Sequence, residues 1–204
     1  MVRLALLVLT IFGLAACNGA FPASTARPVE SLAVSGGAVT VAGPPDYCVD
    51  AATSRSADGF AILAPCATLG SGNATPIRNA VISVQVGEPG SAVVEGAESA
   101  MVSLFGTPAG AELLSRTGDP GLIAIREAGL SSGVVIVVYD DRNPVPIDGT
   151  QTREWRGFFD LGDRLVTISL RGLASSPLSS GSGTTLLRQA VEAVRAANLG
   201  GVPA

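Results

Sequence analysis

Asp140, Asp141, Asn143 and Asp148 put three carboxylates and one amide into a single polar loop, DDRNPVPIDG. Hard cations such as calcium take oxygen donors of this kind. The spacing does not match an EF-hand, because Asp140 and Asp141 are adjacent and prolines follow. Asp and Asn are also ordinary turn formers, so the same residues read as a solvated loop between two strands. No metal is assigned, and these four stand only as weak candidate ligands. Trp155 and Phe158 lie among Arg153 and Arg156. Exposed, they would make a partner surface; buried, they would be core. If that strand alternates, Trp155 and Phe159 share one face and Phe158 takes the other. Asp46 and Asp50 flank Tyr47-Cys48, where they could form a small polar site or cap turns. Gly181-Ser182-Gly183 fits neither a phosphate loop nor a nucleophile elbow, and reads as a connection.

The absence of histidine narrows the chemistry most. It removes the usual general base, the Ser-His-Asp and Cys-His arrangements, and the commonest zinc ligand. Catalysis would have to run on Asp, Glu, Tyr, Ser or Arg. No catalytic residue and no cofactor are assigned, and the chain is read as a non-enzyme. Its 13 basic residues are all arginine, they form no run, and the formal charge is −4, so nucleic acid is not an expected partner.

Leu4 to Leu14 is almost wholly apolar, preceded by Arg3. The run is too short to span a bilayer as a helix and has the length of a signal-peptide core. Leu14-Ala15-Ala16-Cys17 then resembles the lipobox of bacterial lipoproteins. The resemblance implies cleavage before Cys17, a diacylglyceryl group on its thiol, and acylation, for example by palmitate, of its new amino group. It implies a membrane as partner through that anchor. Asn18 follows where aspartate would signal the inner membrane, so the outer membrane is favoured, with the domain facing the periplasm. Setting Cys17 aside leaves Cys48 and Cys66, an even remainder that in an oxidising compartment suggests a disulfide. Tyr47-Cys48-Val49 and Phe60 to Ala64 look like strands around an Asp58-Gly59 turn, which would bring the two thiols together.

The elements that must position these residues can be traced in order. Val39-Thr40-Val41 looks extended, and Pro76 to Val86 alternates as a strand should. Ala97 to Phe105 reads as a helix with Met101, Leu104 and Phe105 inward. A second short helix follows Pro108, with Leu113 and Leu114 inward. Leu122 to Arg126 reads as a strand, and Gly133 to Tyr139 as a strand buried on both faces. Glu154 to Asp160 and Arg164 to Leu170 flank the hairpin signal Leu161-Gly162-Asp163. Gly172 to Ser182 reads as a flexible loop. Thr184 to Asn198 is the clearest helix, with Thr184 as its cap.

The predicted fold class is α+β: a mainly antiparallel sheet of about six strands packed by two or three helices. The predicted division is a signal peptide over 1–16, a flexible tether over 17–37, one domain over 38–199 and a tail over 200–204. The stretches Gly43-Pro44-x-x-Tyr47-Cys48-Val49-Asp50, Pro65-Cys66, Leu161 to Thr167 and Arg195-Ala196-Ala197-Asn198 resemble those of envelope lipoproteins of alphaproteobacteria. The order of elements is similar to the Mog1/PsbP-like sandwich. Neither resemblance brings catalytic residues. The expected function is a membrane-anchored, non-catalytic binding or assembly module acting on an envelope protein or a small ligand. The alternative is a small-ligand or calcium-binding periplasmic domain, with a histidine-independent hydrolase third.

Overall fold

A computed structural model of the protein describes residues 28–71 and 78–199. The expected signal peptide, Cys17, the first part of the tether and the tail over 200–204 lie outside the described residues, as does the start of the strand expected from Pro76. The strands are β1 (Pro28–Val29), β2 (Ser31–Val34), β3 (Val39–Ala42), β4 (Tyr47–Asp50), β5 (Phe60–Pro65), β6 (Ala80–Val86), β7 (Ile123–Ser131), β8 (Val134–Asp141), β9 (Arg153–Leu161) and β10 (Arg164–Gly172). The helices are α1 (Glu98–Phe105), α2 (Pro108–Leu114) and α3 (Ser180–Asn198). Eight of the strands form one antiparallel sheet in the order β1-β4-β5-β6-β10-β9-β8-β7. A separate two-stranded ladder joins β2 to β3.

The α+β class holds, but the sheet has eight strands rather than about six. A two-residue strand such as β1 is too short to show alternation. Residues 28–37, expected in the tether, belong to the folded domain: β1 pairs with β4 and β2 pairs with β3. Val34 is fully buried there. Strand β7 runs past Arg126 to Ser131; its register shifts between Ile125 and Glu127, and such a bulge breaks the alternation a sequence reading relies on.

One face of the sheet packs against α3 and the β2–β3 ladder. Val134, Ile136, Val138, Trp155, Phe159, Val166, Ile168 and Leu170 meet Leu186, Leu187, Ala190, Val191 and Val194 there. The Asn198 amide closes the far end, donating to the Thr40 carbonyl at 2.8 Å and accepting from the Thr40 N–H at 2.9 Å. The other face is covered by α1 and α2 only over β7, β8 and the hairpin end of β9 and β10. Val135, Val137 and Tyr139 meet Phe105, Ala111 and Leu114 there. Strand β8 is therefore buried on both sides, as its continuous apolar run predicts. Of the two leucines expected inward on α2, Leu114 is buried and Leu113 is 67% exposed. On α1, Phe105 is buried, whereas Leu104 lies at the surface. A short helix on a corner buries less than a full stripe.

Helix α3 begins earlier than expected, at Ser180, with Ser179 as its cap accepting from the Ser182 N–H. Gly181-Ser182-Gly183 is thus its first turn rather than part of a flexible loop. The tertiary reason is Trp155, which is fully buried and donates from Nε1 to the Ser180 carbonyl at 3.2 Å. A Cβ at position 183 would fall inside its indole ring. Overpacking of this kind costs typically about 1–3 kcal/mol, because a ring locked in a core cannot move aside. Gly183→Ala is therefore expected to lose stability by that amount in urea denaturation, whereas Gly181→Ala, with open space at its Cβ, is not. Equal losses in both variants would refute the packing argument.

Candidate functional site

On the half of the second face that α1 and α2 leave uncovered, β6, β9 and β10 present Val81, Ser83, Glu154, Arg156, Ser169 and Arg171. The sheet register sets this array. Ser169 pairs with both Ser83 and Arg156, and Arg171 pairs with Val81, so alternate residues of three strands share one patch. Arg116 after α2, and Pro146, Ile147 and Thr150 from the β8–β9 loop, wall it in. The cavity holds about 110 Å³.

Its floor is a buried ion network. Glu154 is 3% exposed, Arg171 6% and Asp141 1%. The Arg171 guanidinium donates from Nη2 to Asp141 Oδ2 at 2.7 Å and from Nε to Glu154 Oε2 at 2.8 Å. Arg156 donates from Nη2 to Glu154 Oε1 at 2.6 Å and from Nε to Ser169 Oγ at 2.9 Å. The Tyr139 hydroxyl donates to Glu154 Oε1 at 2.6 Å. The Asn143 backbone N–H and side-chain amide both donate to Asp141 Oδ1, at 2.9 and 2.8 Å. Two carboxylates are thus matched by two guanidinium groups, and every carboxylate oxygen is engaged. Such satisfaction is what permits charge to be buried at all.

Protonation follows from this arrangement. Burial works against ionising Glu154, yet the charges of Arg156 and Arg171 and the Tyr139 hydroxyl outweigh it and hold its carboxyl below the usual range. Burial likewise opposes ionisation of Asp141, and the Asn143 hydrogen bonds and Arg171 overcome it. Burial first, and then the Glu154 charge, push the Tyr139 hydroxyl up, so it stays a donor. The Arg153 hydrogen bond is the main cause of the lowered Asp140 carboxyl. Carboxyls that are more acidic folded than unfolded contribute stability above their unfolded value, near pH 4. That contribution is lost as pH falls from there through their folded values. The unfolding free energy is expected to be flat from pH 7 to about 5 and to drop steeply below about pH 4, as measured by urea titration. A flat profile down to pH 3 would contradict the network.

The expected loop residues are not gathered into one set. Asp140 and Asp141 are neighbours on β8 and point to opposite faces. Asp140 is bound by Arg126 at 2.7 Å and Arg153 at 2.8 Å. Asp141 and Asn143 join the network, and Asp148 is exposed in the loop. Among the described residues no group of three or more His, Cys, Asp or Glu gathers where an ion could be held. Trp155 is core, and Phe158 stacks on Phe105 with ring centroids 5.1 Å apart. Neither is the exposed partner surface that their position among arginines allowed, because Trp155 packs on the α3 side of the sheet and Phe158 on the α1 side. Asp46, Asp50 and Tyr47 do not converge: Asp50 accepts from the Ala52 N–H and the Thr53 hydroxyl, while the Tyr47 hydroxyl donates to the Arg78 carbonyl.

Cys48 and Cys66 form a disulfide across β4 and the residue after β5, with Cα atoms 4.9 Å apart. Sequence reading missed Glu154, Arg156, Ser169, Arg171 and Tyr139 as a set. The available signal was charge at alternate positions of strands that were otherwise apolar. It also missed Asp160, whose carboxylate accepts the Val93, Val94 and Glu95 N–H groups at 3.1, 2.7 and 2.8 Å and fastens the segment before α1 to β9.

No family model and no curated protein matches the chain. A structure search finds similarity to a point mutant of the protein Mog1, at 14% identity and a TM-score of 0.44, covering 82% of this chain and 93% of that one. A likeness this distant transfers nothing about function. No helix among the described residues is long and apolar enough to cross a membrane.

Proposed function

We propose that this chain is an exported protein anchored to a bacterial envelope membrane by acyl chains on Cys17, and that its domain is a non-catalytic binding or assembly module. The observation that carries the reading is Leu14-Ala15-Ala16-Cys17 behind an apolar run of signal-peptide length. A disulfide between the other two cysteines suits the oxidising compartment that export would reach. The cavity supports binding over proton-transfer chemistry, because its carboxylates are spent on arginines and the chain has no histidine to act as base. More than one acyl chain gives stable anchoring, at about 0.8 kcal/mol per buried CH₂. The residues between Cys17 and Pro28 would let the domain stand off by at most about 35 Å when fully extended. Asn18 favours the outer membrane, with the domain in the periplasm and an envelope protein or small ligand as its partner.

Expression in bacteria with radiolabelled palmitate tests the anchor. Wild type is expected to label and to fractionate with membranes, and Cys17→Ser to do neither. Unlabelled wild type overturns the anchor. The module reading falls if a Cys17-anchored bait retains no envelope protein, no small ligand shifts its melting, and deletion leaves the envelope unchanged.

A further inference from the structure

We infer that the cavity over β6, β9 and β10 is a site for a carboxylate carrying a small apolar group. This deepens the reading of the domain as a binding module and rests on it. The cavity offers donors and almost no acceptors. Both oxygens of Glu154 and both of Asp141 are taken by Arg171, Arg156, Tyr139 and Asn143. Arg156 uses Nε and Nη2 on Ser169 and Glu154, which leaves Nη1 without a partner among the described residues. The Ser83 hydroxyl likewise has none there. Arg116 uses one nitrogen on the Pro144 carbonyl, and its remaining N–H groups have no partner among the described residues.

Charge points the same way. The lining carries Arg116, Arg156 and Arg171 against Glu154, and Arg171 is also paired with Asp141 beneath, so three cations meet two carboxylates and one further carboxylate would balance the charge. Guanidinium groups bind carboxylates through short, charge-assisted hydrogen bonds. Arg156 is held in place by Glu154 and Ser169 before any ligand arrives, so little side-chain freedom is lost on binding. The remaining walls, Val81, Pro146 and Ile147, are apolar and suit a short hydrocarbon group. A volume of about 110 Å³ fits a carboxylate with a short hydrocarbon group, and the open side of the cavity leaves room for the rest of a longer chain. Two sources carry this chemistry: a free short-chain acid, or the C-terminus of a peptide ending in a small apolar residue.

The full chain is titrated, with amide and Arg Nε shifts followed by NMR. The probes are butyrate, butyramide, and an acetylated Ala-Ala-Val peptide with a free or an amidated C-terminus. Butyrate or the free peptide is expected to shift Ser83, Ser169 and Arg156 in the millimolar range, and the neutral amides are not. Tighter binding of the free peptide identifies a chain end, and tighter binding of butyrate a free acid. Arg116→Gln, at an exposed position that leaves the ion network intact, is expected to weaken binding about tenfold, and Ser83→Ala several-fold. Equal binding of acid and amide, undiminished binding in both variants, or no binding of either carboxylate overturns the inference. Acylation of Cys17 is read separately, so a labelled protein that ignores carboxylates refutes this site and leaves the anchor standing.

Discussion

Glu154→Ala is expected to cost about 3–5 kcal/mol in unfolding free energy, the largest effect of any single change named for this protein. The size does not come from the ion pairs having a large net worth. Taking charges out of water costs several kcal/mol each, and a buried pair roughly offsets that cost by mutual attraction. Removing one partner keeps the cost and deletes the compensation. Without Glu154, Arg171 retains Asp141 and the Gln151 carbonyl, while Arg156 retains Ser169. The Tyr139 hydroxyl, fully buried, loses the acceptor that satisfies it. Glu154→Gln keeps the shape and one acceptor oxygen and should recover part of the loss. Guanidinium denaturation of the three proteins decides the matter. A loss under about 1 kcal/mol in Glu154→Ala would mean that water satisfies the network and that the floor of the cavity is soft. Apolar residues of similar volume commonly match or exceed the stability of buried ion pairs.

Removing the disulfide is the second large effect. Cys48→Ala with Cys66→Ala should lower stability by about 3 kcal/mol, chiefly by freeing the unfolded chain from a short covalent loop. For a domain of this size that corresponds to a melting temperature lower by roughly 6–12 °C. The native sheet loses little in the exchange, since β4 and β5 keep their register from Tyr47–Pro65 to Val49–Leu63. The same loss should follow from reductant in wild type, and reductant should then leave the double variant unmoved. Alkylation of the denatured wild-type protein should add two more groups after reduction than before. If reductant fails to lower the wild-type melting temperature, the bridge is not holding the fold.

The order of the structural elements from β3 onward was legible because each strand or helix carries its own period. The β-branched run Gly133 to Tyr139 reads as a strand buried on both sides, and the Leu161-Gly162-Asp163 signal as the β9–β10 hairpin, which the register from Arg164–Leu161 onward bears out. Trp155 and Phe159 against Phe158 followed from alternation alone. Pairing of Cys48 with Cys66 was likewise readable, since the two lie by adjacent strands and Cys17 was set aside as the expected lipidation site.

Other features depended on contacts between residues far apart in the chain, and no local pattern records those. Pro28 to Val34 reads as loose chain, yet becomes sheet because β4 and β3 offer edges to pair with. Gly181 to Gly183 reads as a loop but is the first turn of α3, capped by Ser179 and held by the Trp155 indole, which donates to the Ser180 carbonyl and fits only because position 183 is glycine. Asp141 reads from the sequence as a loop residue and, with Asp140, Asn143 and Asp148, as a weak candidate ligand. Strand alternation sends Asp140 and Asp141 to opposite faces, and Arg171 from β10 claims Asp141. The donor-rich cavity exists only once three strands and two loops are assembled. Local elements and the candidate covalent chemistry of the cysteines could be read from the chain alone, because both depend on neighbours along it. Which charges are paired, which are left free, and therefore what the domain can bind follow from the packing of the sheet, which brings distant arginines and carboxylates within hydrogen-bond reach.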